Sequence, residues 1–270
     1  MNSAEINEAA RRLGADLVGI APVTRFDGMP QSADPRTLVP GTRSVIAVGH
    51  RIMRGALRGI EEGTSFSNTY HCFGYSWSES FFLAKTVYDL CCEIENSGAE
   101  ATPLLSRKYS GNEFVPDYMA YAHAAGLGSV GKGGFFLTPE YGHRQRFGFL
   151  FTNLELEGDE VIEVDFCKDC DACIQGCPLK ALSAEKGADL SICKQCRNGA
   201  YDTPGGGDDV DRYAASCGRA CMVALENKVG NKFVEKFRKR SVWSRDIYGE
   251  ALNSGNLFNG GLCPDKMGGK

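Results

Sequence analysis

Residues 167–178 read CKDCDACIQGCP, a run of four cysteines that ends in proline. The spacing is C-x2-C-x2-C-x3-C-P, in which three closely spaced thiolates surround one corner of an iron–sulfur cubane and the fourth points toward a second cluster. Structural zinc sites usually take their cysteines from two separated pairs, so this compact run favours iron over zinc. The ligands predicted here are Cys167, Cys170, Cys173 and Cys177.

Four further cysteines follow at less regular spacing: Cys193, Cys196, Cys217 and Cys221. Eight thiolates make two sites of four, which predicts two [4Fe–4S] clusters and about eight irons per chain. We expect crossed ligation, in which Cys221 completes the first three ligands and Cys177 joins the second set. The sequence alone leaves open which distal cysteine serves which cluster. Pro178 is expected in the first turn of a helix that begins at Cys177.

The remaining composition is that of an ordinary globular chain of 270 residues with a formal net charge of −4. This balance gives no general attraction to nucleic acid or anionic lipid, and no apolar run approaches the roughly 18 residues of a membrane span. Arg11-Arg12 is followed by Asp16 where a twin-arginine signal would be apolar, so we expect a cytoplasmic protein. In that reducing compartment, twelve cysteines favour metal ligation over disulfides. Those outside the two sets are predicted to be small buried hydrophobes: Cys72, Cys91, Cys92 and Cys263.

Helix-like and strand-like segments alternate upstream of about residue 160. Asn2-x-x-Glu5 predicts a capped N-terminal helix, and Ser76-x-x-Glu79 predicts the start of a second helix. A third is expected between Pro116 and Gly126.

Four segments read as strands, at 16–21, 44–48, 135–137 and 147–156, the last with one face in the core. Elements mixed in this way predict an α+β fold.

Residues 125–134 read AGLGSVGKGG, the glycine-rich segment, with G-x-G-x-x-G at Gly126, Gly128 and Gly131 and then Lys132. A Rossmann fingerprint follows a strand and opens a helix, whereas this segment follows a predicted helix and leads into a strand. A Walker loop is excluded because the spacing to the lysine is wrong and no Ser or Thr follows. The segment therefore predicts a backbone loop that approaches a bulky polar cofactor, with one cation beside it.

The order of these motifs resembles the core shared by epoxyqueuosine reductases and reductive dehalogenases. It consists of the glycine-rich segment, then FFLTPEYGHRQRFGFLFTNLEL at 135–156, then the cysteine run. Residues 38–49 (LVPGTRSVIAVG) are similar to an early strand of the epoxyqueuosine reductases, whereas 137–142 (LTPEYG) is closer to the dehalogenases. The resemblance covers roughly residues 5–225.

That resemblance implies a nitroreductase-like α/β layered domain that binds a cobalamin, beside a two-cluster ferredoxin-like module. Single electrons would pass from the clusters to the cobalt centre, which performs the chemistry on the substrate. The implied corrinoid contacts are Gly126, Gly128, Gly131 and Lys132.

With the shift in cysteine content near residue 160, the resemblance divides the chain into three regions. Residues 1–160 are the nitroreductase-like cofactor-binding domain, and residues 161–225 are the ferredoxin-like domain with both clusters. Residues 226–270 are a basic C-terminal helix and tail, where 227–240 read NKVGNKFVEKFRKR. For that basic stretch we expect a solvated helix face, with docking of an acidic electron donor or of RNA as alternatives.

The sequence also departs from the family pattern at the proton donor. Epoxyqueuosine reductases carry an aspartate before the glycine-rich segment, and Asn112 occupies that position, with Glu113 and Asp117 nearby as substitutes. Dehalogenases use a tyrosine near a basic residue, for which Lys108-Tyr109 is the candidate. We expect a short family member without the C-terminal helical-repeat region or the export signal of the respiratory dehalogenases.

Three functional interpretations follow. The first is a cytoplasmic, corrinoid-dependent iron–sulfur reductase of a small molecule, with reduced ferredoxin or flavodoxin as electron donor. The alternative is an electron-transfer partner or reductive activator of a corrinoid protein, without turnover of its own. Reduction of epoxyqueuosine in tRNA comes third, because the charge balance makes nucleic acid an unlikely partner. No membrane partner is expected.

Overall fold

The structure is a computed structural model that describes residues 1–61, 67–105, 114–177, 179–185, 187–193 and 215–235. The α-helices of this part are α1 (Ser3–Arg12), α2 (Pro35–Leu38), α3 (Arg54–Glu61), α4 (Ala84–Asn96), α5 (Tyr118–Ala124), α6 (Ala172–Gln175), α7 (Leu190–Cys193) and α8 (Ser216–Leu225). Its strands are β1 (Leu17–Pro22), β2 (Ser44–Arg51), β3 (Ala101–Leu105), β4 (Ser129–Val130), β5 (Phe136–Leu137), β6 (Gln145–Thr152), β7 (Leu182–Ser183) and β8 (Gly187–Ala188). Residues Ser67–Ser76 and Ser78–Leu83 are π-helical, and Val23–Phe26 and Gln31–Ala33 are 3₁₀ turns.

Two compact units share the chain, and their segments interleave. The sheet unit contains Met1–Arg51, Ser76–Ser129 and Gln145–Glu163, and the cysteine unit contains Ile52–Tyr75, Val130–Arg144 and the chain from Val164 onward. The predicted division near residue 160 is linear, whereas two segments that precede it pack with the cysteine unit. They are Ile52–Tyr75 and Val130–Arg144, and the latter includes the second half of the glycine-rich segment.

The sheet unit is built on a four-stranded antiparallel sheet in the order β1-β2-β6-β3. Helices α1 and α4 cover one face, where Ile46 and Leu150 join the core. On the other face, the Tyr121 ring of α5 packs edge-on against Phe149 and Phe151 at 5.6 and 5.7 Å. Because β6 lies between two strands and under helices on both sides, both of its faces are buried, and the prediction of one core face is wrong.

The N-terminal helix is confirmed with its capping box. Asn2 Oδ1 accepts from the Glu5 amide at 3.0 Å, and Glu5 Oε2 accepts from the Asn2 amide at 2.8 Å. The helix predicted to start at Ser76 does not start there, because π-helical turns already run from Ser67. Glu79 bonds Arg146 of β6 at 3.3 Å instead of capping a helix end.

Helix α5 begins slightly later than predicted. Its N-cap is Asp117, whose Oδ1 accepts from the Ala120 amide at 3.0 Å, so Pro116 lies before the helix. That bond gives Asp117 a structural role. The C-terminal end near Gly126 agrees with the prediction.

The predicted basic helix is not formed over residues 226–235, which we call the strap. The main chain leaves α8 after Leu225 and turns back. The amides of Gly230 and Asn231 donate to the carbonyls of Pro139 and Glu140, each at 2.8 Å, instead of to carbonyls of a helical turn. Residues 236–270 lie outside the described residues.

The prediction of a mixed α and β fold is confirmed by this architecture. A nitroreductase-like layering and a ferredoxin-like module stay predictions. Among the residues that the structure describes, none of the helices combines the length and apolar character that crossing a membrane requires.

Candidate iron–sulfur site

Five cysteines of the two predicted sets lie in or against the hydrophobic core of the cysteine unit. Cys173, Cys217 and Cys221 are buried there, and Cys167 and Cys177 pack against the same cluster. Cys173 lies on the short helix α6, while Cys217 and Cys221 lie one turn apart on α8. Two stretches distant in sequence therefore present their thiols to one core.

Gly176 is the point at which the end of α6 meets α8. A Cβ atom at Gly176 would lie 2.8 Å from the Ala220 Cβ, closer than side chains pack. Ala220 immediately precedes Cys221. The glycine between the third and fourth cysteines of the run thus lets the two cysteine-bearing helices approach each other.

The Cys221 thiol interacts electrostatically with the thiols of Cys173, Cys167, Cys170 and Cys217, and the Cys173 thiol interacts with those of Cys167 and Cys170. We call Cys167, Cys170, Cys173 and Cys221, the predicted ligands of the first cluster, the four-thiol group. Burial is the main cause that raises the pKa of the Cys221 thiol, and the neighbouring thiol of Cys173 adds to it. Cys173 has a raised pKa for the same main reason, with Cys167 next in importance. Burial therefore disfavours thiolate charges at Cys173 and Cys221, and the cationic core of a bound cluster would compensate part of that charge.

The second half of the glycine-rich segment lies directly against this group. A Cβ atom at Gly131 would lie 2.8 Å from Cys167 Sγ, and one at Gly133 would lie 3.0 Å from Cys173 Sγ. The same Cβ atoms would also meet apolar side chains, Leu137 Cδ1 at 2.7 Å from position 131 and Phe135 Cδ2 at 2.9 Å from position 133. These positions therefore favour glycine as long as the sulfur atoms and the apolar side chains stay in place. We call Gly131–Gly133 the saddle.

Between the two glycines, Lys132 extends to the cysteine run itself. Its Nζ donates to Asp171 Oδ1 at 2.9 Å, and Asp171 is the residue after Cys170. The hydrogen bond to Asp171 is the main cause that raises the pKa of Lys132, and the thiols of Cys167 and Cys170 act in the same direction.

Two further contacts hold the surroundings of the site. His143 Nε2 lies 2.8 Å from the Gly218 carbonyl oxygen on α8, and the imidazole stacks on Phe135 with ring centroids 5.0 Å apart. Lys228 of the strap donates to the carbonyl of Phe166, just before the run, at 2.8 Å. The sequence offered no motif for either residue, because both contacts join segments that are far apart in the chain.

Cys177 is placed differently from the prediction. No helix begins at Cys177 in the described part of the chain around it, where a short helix precedes it instead. The chain turns at Lys180, whose φ is 53°, and the Ala181 amide donates to Cys177 Sγ at 3.3 Å. This bond satisfies a sulfur atom in the way that amides do around cysteine-ligated clusters.

The donors present fit an iron–sulfur cluster. Cys173 and Cys221 are buried and Cys167 and Cys170 are partly buried, and four thiols of this kind are the donors that a cubane takes. Among the described side chains, no three His, Cys, Asp or Glu residues are drawn together tightly enough for a single metal ion. Of the second set, Cys177, Cys193 and Cys217 are described, and Cys196 lies outside the described residues.

The other predicted site residues are either in the sheet unit or not described. Gly126 has a φ of 77° and lies against the carbonyl of Glu160, and the Gly128 carbonyl lies 2.7 Å from His123 Nδ1. Tyr109 and Asn112 lie outside the described residues.

The cysteines outside the two sets are not part of the four-thiol group. Cys91 is buried in the core between α4 and the sheet, as predicted. Cys72 and Cys92 are partly buried, and Cys263 lies outside the described residues.

In sequence, the chain is similar to two classes of reductase, although no family model matches it. It is 28% identical to the epoxyqueuosine reductase of Synechocystis sp. over 196 residues, which cover 72% of this chain and 64% of the relative. For the epoxyqueuosine reductase of Gloeobacter violaceus, the identity is 30% over 187 residues, which cover 69% of this chain and 56% of the relative. The tetrachloroethene reductive dehalogenase of Sulfurospirillum multivorans is 26% identical over 210 residues, which cover 65% of this chain and 39% of the relative.

These relatives confirm the resemblance to both families, and they are oxidoreductase enzymes. The chain spans less than two thirds of the length of each of the three.

Solved structures of both families share the fold. The epoxyqueuosine reductase of Streptococcus thermophilus matches over 88% of this chain and 68% of the reductase chain, with a TM-score of 0.56 and 17% identity. A reductive dehalogenase studied for B12-dependent dehalogenation matches over 84% of this chain and 32% of the dehalogenase chain, with a TM-score of 0.56 and 20% identity. An epoxyqueuosine reductase bound to an epoxyqueuosine-modified tRNA-Tyr stem loop matches over 92% of this chain and 70% of the reductase chain, with a TM-score of 0.54 and 16% identity. This last neighbour is at odds with the prediction that nucleic acid is an unlikely partner.

Proposed function

We propose that this chain is an iron–sulfur oxidoreductase in which two [4Fe–4S] clusters pass single electrons to a cobalamin and on to a small-molecule substrate. The observation that carries the proposal is the four-thiol group, which gathers cysteines from α8 and the run, with the two glycines of the saddle against Cys167 and Cys173. The similarity in sequence to reductases of two families supports the same class of chemistry.

The ligands divide between the two sites by crossed ligation. Cys167, Cys170, Cys173 and Cys221 would hold the first cluster, and Cys177 would join Cys193, Cys196 and Cys217 around the second. When bound, the clusters supply one-electron transfer, and a corrinoid supplies a cobalt centre able to reduce a substrate.

The protein's own residues prepare the first site in three ways. Burial of Cys173 and Cys221 keeps water from the sulfur atoms, which lowers the local dielectric and strengthens every charge interaction there. The Gly176–Ala220 contact fixes the approach of the two ligand helices. His143 holds α8 by its bond to the Gly218 carbonyl, so Cys217 and Cys221 keep their positions.

The cobalamin is supported by the dehalogenase relatives, one of whose structural counterparts performs B12-dependent dehalogenation. By resemblance, Gly126, Gly128, Gly131 and Lys132 would contact the corrinoid. Gly131 and Lys132 already lie against the cysteines, so their contact with a corrinoid would have to leave that packing intact. Reduced ferredoxin or flavodoxin is the electron donor we propose.

Metal analysis and a corrinoid titration test the proposal on protein purified without oxygen. We expect about eight irons and about eight acid-labile sulfides per chain, and a change in the cobalamin absorbance spectrum when the protein is added. About four irons per chain would contradict the two-cluster assignment. Full iron content without corrinoid uptake would instead favour the alternative of an electron-transfer partner or reductive activator.

Crossed ligation has its own test. Cys221→Ser should remove the signal of one cluster in electron paramagnetic resonance, and Cys177→Ser should remove the signal of the other. Loss of the same signal in both variants would show that the two cysteines serve one cluster.

A second candidate substrate is epoxyqueuosine in tRNA. The epoxyqueuosine reductases among the relatives and the fold neighbour that holds a tRNA stem loop favour it. Reduced protein incubated with an epoxyqueuosine-containing stem loop should then yield queuosine in the nucleoside digest. No conversion by cluster- and corrinoid-loaded protein, with a known reductase active in the same assay, would exclude this substrate.

A further inference from the structure

We infer that the saddle belongs to the electron-transfer site, and that the Lys132–Asp171 ion pair sets the reduction potential of the cluster held by the four-thiol group. The inference rests on the proposed ligation of that cluster. It gives Lys132 the role of a positioning residue for the cluster, which is different from the corrinoid contact that the family resemblance implies.

The first step of the argument is the path of the main chain. Gly131 and Gly133 each leave room for a ligand sulfur, of Cys167 and Cys173 respectively, so the residue between them crosses the four-thiol group. The turn is held at both ends, since the Gly131 amide donates to the Phe135 carbonyl at 2.9 Å and the Gly134 amide donates to the Gly131 carbonyl at 2.8 Å. Lys132 is therefore fixed over the ligands by its backbone.

The second step is the direction of the side chain. Lys132 Nζ bonds Asp171 Oδ1 at 2.9 Å, and Asp171 stands between the ligands Cys170 and Cys173 in the run. The pair thus ties the saddle to the ligand loop that it covers. The Lys132 side chain is 25% exposed and that of Asp171 is 51% exposed, so the cation is the more sheltered partner.

The third step is charge. Uptake of one electron, without a proton, adds one negative charge among the four thiolates. An ammonium group beside them stabilises that charge and a carboxylate opposes it, and such interactions are stronger near a protein interior than in water. The intact pair is neutral, so removal of one partner leaves the opposite charge uncompensated beside the cluster.

A redox titration of the full-length, anaerobically purified protein tests the inference. The protein is poised with dithionite and mediators, and the reduced cluster is followed by electron paramagnetic resonance. We expect a more negative midpoint potential in Lys132→Gln, a more positive one in Asp171→Asn, and a value close to the original in the double variant. The other cluster, identified with Cys177→Ser, should shift less.

Two control variants separate charge from structure. Lys132→Arg keeps the cation and should restore the original potential. Lys232→Gln removes an exposed lysine of the strap and should not shift the potential, because water and salt screen exposed charges.

Three results would overturn the inference. They are unchanged potentials in both single variants at full iron content, shifts of both in the same direction, or a Lys132→Gln effect confined to cobalamin affinity. The proposed function would survive all three results. Its own failure is recognised separately, as absence of iron from the unsubstituted protein.

Discussion

The two ends of the glycine-rich segment carry similar glycines in different surroundings. At the first end, Gly126 adopts a φ of 77° and meets the backbone carbonyl of Glu160 in the sheet unit. At the second end, Gly131 and Gly133 face the sulfur atoms of Cys167 and Cys173 in the cysteine unit. The obstacle is main chain in the first case, and in the second it is side-chain atoms, a cysteine sulfur beside Leu137 or Phe135. A bound cluster would hold the sulfur atoms in place, so the same substitution should have different consequences at the two ends.

The largest effect is expected for Gly133→Ala. Without a cluster, the Cys173 thiol can rotate away from the new Cβ atom and the Phe135 ring can shift, whereas a ligating sulfur stays in place. We therefore predict that iron falls from about eight to about four per chain, while the fold is retained. Iron analysis and circular dichroism of the purified variant measure the two quantities, and Gly131→Ala should behave in the same way.

Gly55→Ala is the matched control for that loss of iron. Gly55 lies on α3, also in the cysteine unit, and a Cβ atom there meets no atom within 4 Å. Iron content should be unchanged in this variant. Full iron in Gly133→Ala would refute the idea that the saddle adjoins a cluster.

A large loss of stability, but not of iron, is predicted for Gly126→Ala. The positive φ costs an alanine about 1–2 kcal/mol, and the contact with the Glu160 carbonyl adds an overpacking cost of about 1–3 kcal/mol. Urea unfolding under anaerobic conditions should show the decrease, with iron per folded chain unchanged.

Gly28→Ala separates the two causes. Gly28 also has a positive φ, of 87°, but a Cβ atom there meets nothing within 4 Å. The Gly28→Ala variant should therefore lose only the stability that the positive φ costs an alanine. Equal losses in the two variants would mean that the contact with Glu160 contributes nothing.

The smallest effect is expected for Asp159→Ala, next to the residue that Gly126 contacts. Asp159 Oδ2 accepts from the Ile20 amide of β1 at 2.9 Å, and its loss should cost about 1 kcal/mol. The measurement is again urea unfolding, with iron content unchanged. Asp159→Asn keeps an acceptor oxygen and should recover most of the stability; if it does not, the carboxylate charge matters more than the hydrogen bond.

Local patterns explain which elements were predictable. The capping box of α1 and the buried strands β1 and β2 depend on residues close together in sequence, and the structure agrees. The start assigned to Ser76 was wrong because Glu79 finds its partner, Arg146, on a distant strand. Over residues 226–235 the basic stretch is not helical for a similar reason, since the strap exchanges helical hydrogen bonds for bonds to the loop at residues 139–140.

By itself, the sequence predicted the kind of chemistry, because cysteine spacing within a short loop limits which metal the thiols can surround. It also carried the resemblance to epoxyqueuosine reductases and reductive dehalogenases that the relatives confirm. Only the tertiary structure decided what the glycine-rich segment packs against. A glycine in a sequence records that a Cβ atom is missing, whereas the atom that would occupy its space comes from another part of the chain. For Gly126 that atom is a carbonyl oxygen, and for Gly131 and Gly133 it is a cysteine sulfur together with a carbon of Leu137 or Phe135.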